Sequence, residues 1–303
     1  MGRFVLGLDV GGTTTRCAVA RSDAPHTIVA RRSVPSPRGT PEQFALRVNS
    51  VVASCLRDGG VEWAEIRKAA CCVCGITDSL HGVVLDAPNL GWSHAPVGNL
   101  FSERWELPCV VENDVNAAAL AEYRYGAGQG CRIVVYLTVS TGVAAGIVLD
   151  GKILGGAHNA AGELGYFLPD PRMIDHDWMP SGCLETTSAG MGLAREWSSL
   201  RGGSHRPDRA RDVFAAGDAG DHDAVEIIRR AADHLAQAAV AIGNLIDPDR
   251  IVLGGSIALH RPAIRDRITE VVTRTLPFPP DVVTAALGED APLVGALVLA
   301  ADY

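Results

Sequence analysis

Short apolar runs separated by glycine-rich breaks predict buried strands in the first part of the chain. Residues 4–20, FVLGLDVGGTTTRCAVA, place two β-branched or leucine-rich runs around a glycine-threonine break. This pattern predicts a strand, a turn and a second strand. The apolar runs KAACCVCGI (68–76) and PCVVEN (108–113) predict two more buried strands.

Longer stretches have the periodicity of helices. In residues 41–60 the apolar side chains recur at the spacing of one helix face, with Thr40 placed to cap the helix and Gly59 to end it. Residues 221–248 predict a long helix that stops at an Asp-Pro pair, and residues 291–303 predict a closing helix. Helices and strands therefore alternate along the chain.

The strand-turn-strand pattern of the N-terminus occurs a second time. Residues 133–151, IVVYLTVSTGVAAGIVLDG, again surround a turn of small residues with two apolar runs. Aligning Asp9 with Thr138 sets Gly11-Gly12-Thr13 against Ser140-Thr141-Gly142. Two similar hairpins this far apart indicate an internal duplication rather than a solenoid, whose repeats are much shorter.

Alternating strands and helices predict an α/β protein. The duplication predicts two similar halves that face a cleft. We expect a small N-terminal α/β domain at residues 1–116 and a larger C-terminal α/β domain at 117–289. The last helix, 290–303, is a candidate to return to the first domain.

The composition is that of a folded chain with a substantial core, and it argues against nucleic-acid binding. The 303 residues are 47% apolar and 20% charged, which is enough apolar material for a substantial core. The net charge is −8, whereas a nucleic-acid binder normally presents a basic face. The densest basic stretch, RGGSHRPDRAR at 201–211, also contains Gly, Pro and Asp and predicts a solvated loop.

The chain is expected to be cytoplasmic. A strand-like run begins at Phe4, so we expect no signal peptide. The apolar run at 293–301 is too short to span a bilayer. Cys71, Cys72 and Cys74 lie in an apolar run and predict reduced thiols buried in a strand rather than a metal site.

The turn DVGGTTT (9–15) is a candidate phosphate site. Gly11 and Gly12 let backbone N–H groups approach an anion, and the hydroxyls of Thr13 and Thr14 add donors. A plain Gly-Gly hairpin turn is the competing interpretation. Asp9 favours the phosphate site, because a carboxylate next to phosphates can hold Mg²⁺, directly or through water.

Two further turns of small residues follow strands. VSTGVAAG (139–146) contains Thr141 and Gly142, and its significance lies in its similarity to the first hairpin. VLGGSIA (252–258) contains Gly254 and Gly255. Each by itself is equally typical of an ordinary connection.

The stretch VVENDVNAAALAE (110–122) crowds acidic and amide side chains at a strand-to-helix junction. Glu112, Asn113, Asp114 and Asn116 lie within five positions. A helix N-cap needs one such side chain and contributes roughly 1 kcal/mol. Four candidates at one junction indicate a function beyond capping.

Two more carboxylates lie in glycine-containing turns. Glu163 falls in GELGYFLPD (162–170) and Glu185 in SGCLE (181–185). A lone Glu in such a turn is usually solvated, but two together can hydrogen-bond a polyol. The chain contains neither H-E-x-x-H nor G-x-S-x-G, so hydrolase chemistry has little support.

These blocks, in this order, resemble the ROK family of sugar kinases and repressors within the actin/hexokinase-like ATPase superfamily. The similarity covers nearly the whole chain. DVGGTTT resembles the first phosphate loop of the family, and VLGGSIA resembles its adenosine-side turn. The other blocks are the sugar-side segments APNLGW (87–92) and VVENDVNAAALAEYRYGAG (110–128), and the most specific stretch, STGVAAGIVLDGKILGGAHNAAGELG (140–165).

The resemblance assigns roles to individual residues. It makes Asp114 the catalytic base, which orients the acceptor hydroxyl and takes its proton. Asp9 would assist Mg²⁺. The phosphates would be held by Gly11, Gly12, Thr13, Thr14, Thr141 and Gly142, with Gly254 and Gly255 on the adenosine side. The sugar hydroxyls would be read by Asn113, Glu163, Glu185, Tyr166, Gly75 and Asn89.

The chain departs from the family at its zinc motif. The family usually has a histidine after G-E-x-G and three cysteines near G-C-x-E, which together bind a structural zinc. Here Tyr166 takes the histidine position and Cys183 alone remains of the cysteines. His176 and its acidic neighbours lack tetrahedral Cys/His spacing, so we expect no zinc site. Tyr166 then either changes substrate preference or fills the volume of the missing zinc loop.

The sequence therefore predicts an ATP-dependent hexose kinase that phosphorylates the 6-hydroxyl of glucose or a glucose-like sugar, with ATP and Mg²⁺ as cofactors. A kinase for an amino sugar, such as kanosamine or an N-acetylhexosamine, or for a cyclitol of secondary metabolism stays open, as does polyphosphate as the donor. A non-catalytic sugar or ATP sensor is the third alternative. The family's repressors carry an N-terminal helix-turn-helix domain for which this chain has no room. A homodimer or homotetramer is expected, with no nucleic acid or membrane partner.

Overall fold

A computed structural model describes residues 3–202 and 209–302. Residues 203–208, which include most of the predicted basic loop, lie outside the described residues. In chain order the strands and helices are β1 (Phe4–Val10), β2 (Thr14–Arg21), β3 (Ala24–Pro35), α1 (Pro41–Gly59), β4 (Ile66–Val73), β5 (Ile76–Asp78), β6 (Val83–Ala87), β7 (Trp92–Ala95), α2 (Val97–Trp105), β8 (Cys109–Asn113), α3 (Asp114–Tyr125), β9 (Ile133–Val139), β10 (Val143–Leu149), β11 (Lys152–Ile153), α4 (Cys183–Ser188), α5 (Gly190–Leu200), α6 (Ala210–Asp218), α7 (His222–Ile246), β12 (Arg250–Gly254), α8 (Ser256–His260), α9 (Pro262–Thr275), β13 (Asp281–Thr284) and α10 (Ala291–Asp302).

The chain divides into two compact units. The first comprises the described residues of 1–129, 151–161 and 290–303, and the second those of 130–150 and 162–289. The predicted boundary at residue 116 falls inside α3, and the division follows Gln129 instead. The reason is that α3 continues unbroken to Tyr125 and packs against α10, so closely that a Cβ on Gly295 would meet the Ala117 carbonyl oxygen.

The two units repeat one strand topology, as the internal duplication predicts. In the first unit β2 is antiparallel to β1, β4 is parallel to β1, and β8 is parallel to β4. In the second unit β10 is antiparallel to β9, β12 is parallel to β9, and β13 is parallel to β12. Each unit is thus built on a hairpin extended by parallel strands. This arrangement confirms the predicted α/β class.

In the core of the first unit, α1 packs against the sheet. Thr40 caps this helix in a capping box with Gln43, and Gly60 ends it in the left-handed conformation. The fully buried Phe44 packs edge-on against Trp92 and Phe101. On β1, Gly7 lies so close to Leu297 of α10 that a larger residue would displace the helix.

The core of the second unit is built around α7. Asp221 caps this 25-residue helix, and Asp247 ends it in the left-handed conformation, at the predicted Asp-Pro stop. Apolar residues on one helix face, including Ala231, Leu235 and Ala238, are fully buried and belong to the same hydrophobic cluster as residues of β9 and β12. In the part of the chain that the structure describes, every helix is too short or too polar to cross a lipid bilayer.

Candidate functional site

The first glycine turn connects β1 and β2 and is held in shape by its own backbone. The Gly11 N–H donates to the Thr14 carbonyl at 3.0 Å, and the Ser36 hydroxyl donates to the Gly11 carbonyl. The side chains of Thr13 and Thr14 are exposed. A tight turn with glycine backbone and exposed hydroxyls is suited to binding a phosphate group.

Gly12 brings this turn against a predicted sugar-side residue of the same unit. A Cβ built on Gly12 would lie 2.9 Å from the Cβ of Asn89, closer than side chains approach one another. Asn89 follows β6 in the APNLGW segment and is exposed. Only glycine therefore fits at position 12 without moving Asn89. The structure thus brings together two motifs that lie 77 positions apart.

Asp9, at the end of β1, forms an ion pair across the hairpin. Asp9 and Arg16 are cross-strand partners, and the guanidinium donates to Asp9 Oδ2 from Nε at 2.7 Å and from Nη2 at 2.6 Å. Burial raises the pKa of Asp9, and the charge of Arg16 opposes that rise. Arg16 also lies 3.5 Å from Asp290, which pairs with Arg31. Arg16 was not among the predicted site residues, although antiparallel pairing across the turn places it opposite Asp9.

The donor set near the first turn fits Mg²⁺ held through water. Mg²⁺ prefers hard oxygen donors and usually keeps several waters. Asp9 supplies a carboxylate, and Thr13 and Thr14 supply hydroxyls. The sequence places these oxygens within six positions of one another, on one hairpin, where Arg16 Nε and Nη2 also bind Asp9 Oδ2.

The junction between β8 and α3 explains the crowd of acidic and amide residues. Asn113 is the N-cap: its Oδ1 accepts from the N–H groups of Val115 at 2.8 Å and Asn116 at 3.0 Å. Its Nδ2 donates to the Gly75 carbonyl at 2.8 Å. Asp114, the first residue of α3, accepts from the Val115 N–H at 3.0 Å and is partly exposed. The candidate base is thus fixed at a helix N-terminus.

Gly75 is required at its position by close packing. A Cβ there would lie 2.4 Å from the Asp86 carbonyl oxygen and 2.8 Å from the Cβ of Ala87. The short sheet β5-β6-β7 therefore approaches the β8–α3 junction closely. The structure brings Gly75, Asn113 and Asp114 together in the first unit.

In the second unit, the turn between β9 and β10 is joined to the turn after β12. The hydroxyls of Ser140 and Ser256 are 3.0 Å apart. Gly255 has a φ of 82°, and a Cβ there would lie 2.5 Å from the Val139 carbonyl oxygen. Thr141 is exposed beside them. The predicted second phosphate turn and the predicted adenosine-side turn therefore form one cluster, which the sequence did not show.

Glu185 is bound to the second phosphate turn. Its Oε2 accepts from the Val143 N–H at 3.2 Å, and a Cβ on Gly142 would lie 2.3 Å from the same oxygen. Burial raises the pKa of Glu185. Burial also raises the pKa of Glu163, and the negative charge of Glu185 adds to that rise. The two carboxylates are therefore electrostatic neighbours in one half-buried environment.

Tyr166 holds together the two segments that carry these carboxylates. Its hydroxyl donates to the Pro180 carbonyl at 2.6 Å. Gly182, with a φ of 82°, packs on Gly165 so closely that a Cβ would lie 2.3 Å from its carbonyl oxygen. The phenol thus has a structural partner within the protein. This contact supports the second of the two alternatives for Tyr166, that it fills the volume of the missing zinc loop.

The segment 170–183 is organised by contacts between its own side chains. The indole Nε1 of Trp178 donates to the Met173 carbonyl at 2.7 Å, and the thiol of the buried Cys183 contacts the Met173 sulfur at 3.2 Å. Within residues 3–202 and 209–302, no three His, Cys, Asp or Glu side chains are grouped so that they could hold a metal ion. The Cys71 and Cys72 thiols are fully buried in β4, whereas Cys74 lies just beyond the strand.

The fold and its glycine turns define a two-unit α/β protein of the actin/hexokinase-like class. The chain belongs to the ROK family, whose model matches residues 5–303. The family resemblance seen in the sequence is therefore confirmed.

Three similar proteins are named as kinases or as containing one. A bifunctional enzyme NanE/NanK of Brucella melitensis is 35% identical over 99% of this chain and 54% of its own length, so the chain spans about half of that relative. An N-acetylmannosamine kinase of Escherichia coli is 31% identical over 97% of each chain. A ROK family glucokinase from Streptomyces griseus, solved with glucose and AMPPNP, is 29% identical with a TM-score of 0.82, over 98% of this chain and 99% of that one. The chain is therefore similar to several proteins that are named as sugar kinases.

Proposed function

We propose that the protein transfers the terminal phosphoryl group of ATP to the 6-hydroxyl of glucose or a glucose-like hexose. One observation carries the proposal: Asp114 stands at the start of α3, in the same network as Asn113 and Gly75. A sugar hydroxyl has a pKa far above neutrality and is a poor nucleophile. A carboxylate fixed beside it orients the hydroxyl and accepts its proton as the new P–O bond forms.

The other residues of the first unit bind and orient the reactants. The turn at Gly11, Gly12, Thr13 and Thr14 offers backbone and hydroxyl donors to phosphate oxygens. Asp9 would hold Mg²⁺ through water, and the ion supplies charge neutralisation on the phosphates when bound. The Asn113 amide that donates to Gly75 has a second N–H, which would donate to a sugar hydroxyl, and Asn89 would bind another.

The second unit supplies the remaining assigned residues. The turn at Thr141 and Gly142 binds phosphate, and Gly254 and Gly255 leave room for the nucleoside. Glu163 and Glu185 accept hydrogen bonds from sugar hydroxyls. AMPPNP in the similar glucokinase supports ATP as the nucleotide here, because AMPPNP is an ATP analogue.

An N-acetylhexosamine or amino sugar is the second candidate substrate. Two relatives named for N-acetylmannosamine kinase or NanK activity are at least as similar to this chain as the glucokinase. The paired carboxylates Glu163 and Glu185 also suit an ammonium group at C2 or C3, which would neutralise their mutual repulsion. A non-catalytic sensor is disfavoured because the base, the turns and the carboxylates are all present.

ADP release measured against a panel of sugars tests the proposal. The panel contains glucose, mannose, N-acetylglucosamine, N-acetylmannosamine and 3-amino-3-deoxyglucose, each with ATP and with polyphosphate as donor. We expect turnover with ATP and one or more of these sugars, and none with 6-deoxyglucose, which lacks the acceptor hydroxyl. Turnover of no sugar with either donor would refute a kinase, and equal turnover of 6-deoxyglucose would refute the 6-hydroxyl as acceptor.

A further inference from the structure

Glu112 is a buried carboxylate beside the candidate base. It is the last residue but one of β8, and 7% of its surface is exposed. A buried charge is costly unless several donors satisfy it. Glu112 belongs to the crowd of polar residues at this junction, and the family resemblance assigns it no role.

Four donors from three segments converge on this carboxylate. Oε1 accepts from the Asn113 N–H at 2.8 Å and from Asn116 Nδ2 at 3.1 Å. Oε2 accepts from the Ser79 hydroxyl at 2.8 Å. The Thr77 hydroxyl lies 3.5 Å from Oε1. Glu112 thus joins the segment after Gly75 to the β8–α3 turn and to the first turn of α3.

These contacts fix both sides of Asp114. The bond to the Asn113 N–H fixes the backbone of the residue before Asp114. The bond to Asn116 Nδ2 fixes the helix turn that follows Asp114. Asn113 in turn caps the helix on which Asp114 is the first residue. A shift of Glu112 would therefore rotate the N-terminus of α3 and with it the Asp114 carboxylate.

We propose that Glu112 is a positioning residue that orients Asp114 toward the acceptor hydroxyl. This inference rests on the proposed function, because it assigns Asp114 the role of base. Glu112 is buried and both of its oxygens accept from protein donors, so it acts through Asn113 and Asn116 rather than on the sugar. A misplacement of about 1 Å in a reacting group can cost on the order of 10²-fold in rate.

Glu122 provides a matched control in the same helix. It is fully buried, and its Oε2 accepts from the Ala127 N–H at 2.7 Å, at the opposite end of α3. Glu112→Gln and Glu122→Gln each replace one buried, hydrogen-bonded carboxylate of this region by an amide. Both changes should lower the melting temperature, but Glu112→Gln alone should affect the orientation of Asp114.

The experiment compares kcat, the sugar KM and the directly measured sugar Kd of the two variants with those of the unchanged protein. We expect Glu112→Gln to lower kcat about 10–100-fold and to change the sugar Kd less than about fivefold. Glu122→Gln should keep kcat within about twofold. Equal effects of the two variants on kcat, or an unchanged kcat in Glu112→Gln, would overturn the proposal.

Asn116→Asp tests the route through α3. The change replaces the Nδ2 donor to Glu112 Oε1 by a carboxylate oxygen, so the bond to the first turn of α3 is lost and the two side chains repel. A fall in kcat of about 3–10-fold with the sugar Kd retained is expected, and an unchanged kcat would overturn this route. If Glu112→Gln does not fold, Ser79→Ala removes one donor only, and it should lower kcat about 3–10-fold with the sugar Kd retained. An unchanged kcat in that variant would likewise overturn the proposal.

Asp114→Asn distinguishes failure of this inference from failure of the proposed function. If Asp114→Asn is inactive while Glu112→Gln is fully active, Asp114 is the base but Glu112 does not position it. If Asp114→Asn retains normal turnover, the proposed function is wrong and the role of Glu112 falls with it.

Discussion

Gly142→Ala should separate a functional defect from a folding defect. A Cβ at this position would lie 2.3 Å from Glu185 Oε2 and 3.1 Å from its Cδ, whereas side chains do not approach within 3.0 Å. The carboxylate must therefore move away by about 0.7 Å or more, which is the difference between the 2.3 Å distance and the 3.0 Å minimum. Gly142 does not have a left-handed φ, so an alanine there causes a steric clash rather than backbone strain.

The cost should appear in catalysis rather than in folding. Oε2 is the end of a flexible side chain and can rotate away cheaply, so we expect a small change in melting temperature. Rotation breaks the 3.2 Å bond from the Val143 N–H to Glu185. A binding group that is misplaced by about 1 Å can cost on the order of 10²-fold in rate, so we expect kcat/KM for the sugar to fall about 10–100-fold.

Steady-state kinetics with the best sugar and a thermal melt of the same preparation test this prediction. Gly155→Ala is the matched control, because a Cβ there meets only Asn159 Oδ1 at 3.5 Å, an ordinary contact. Gly155→Ala should keep kcat/KM within about twofold. A kcat/KM for Gly142→Ala equal to that of the control would refute the reasoning that Glu185 needs its present orientation.

Three further substitutions and one elemental analysis have defined outcomes. Asp114→Asn should lower kcat about 10²–10⁴-fold with the sugar Kd kept within about tenfold, and near-normal turnover would contradict its role as base. Burial raises the pKa of Glu163, so the folded state loses stability as the pH rises from the ordinary glutamate pKa through the raised one, and the full penalty is present above it. Glu163→Gln removes that penalty, so it should raise the melting temperature at pH 8 but not at pH 4, and equal shifts at both would argue against this. Tyr166→Phe removes a hydrogen bond worth about 1 kcal/mol, so it should lower the melting temperature and leave the order of preferred sugars unchanged. A different order of preferred sugars would contradict this prediction. Elemental analysis should find no stoichiometric zinc, and one zinc per chain lost together with activity would show that Cys183 retains a metal site.

The strand and helix patterns were predictable because they depend on local spacing. The first hairpin, its repeat at 133–151 and the long helix α7 follow from apolar periodicity and from caps such as Asp221 and Asp247. The compact division follows Gln129 rather than the predicted residue 116, because no local signal tells a helix which unit it will join. That depends on the packing of α3 against α10, which lies more than 160 positions later in the chain.

The sequence by itself determined which residue types stand at each junction: glycines at the turns, a carboxylate at Asp9, and the acidic and amide cluster around Asp114. It could do so because a turn, a cap or a phosphate cradle needs particular backbone freedom and donors within a few residues. Only the tertiary structure decided their partners. The contact of Gly12 with Asn89, the bond of Glu185 to Val143 and the bond from Ser79 to Glu112 all join segments that are separate in the chain. Such contacts are chosen by strand register and close packing, and neither can be read from one segment alone.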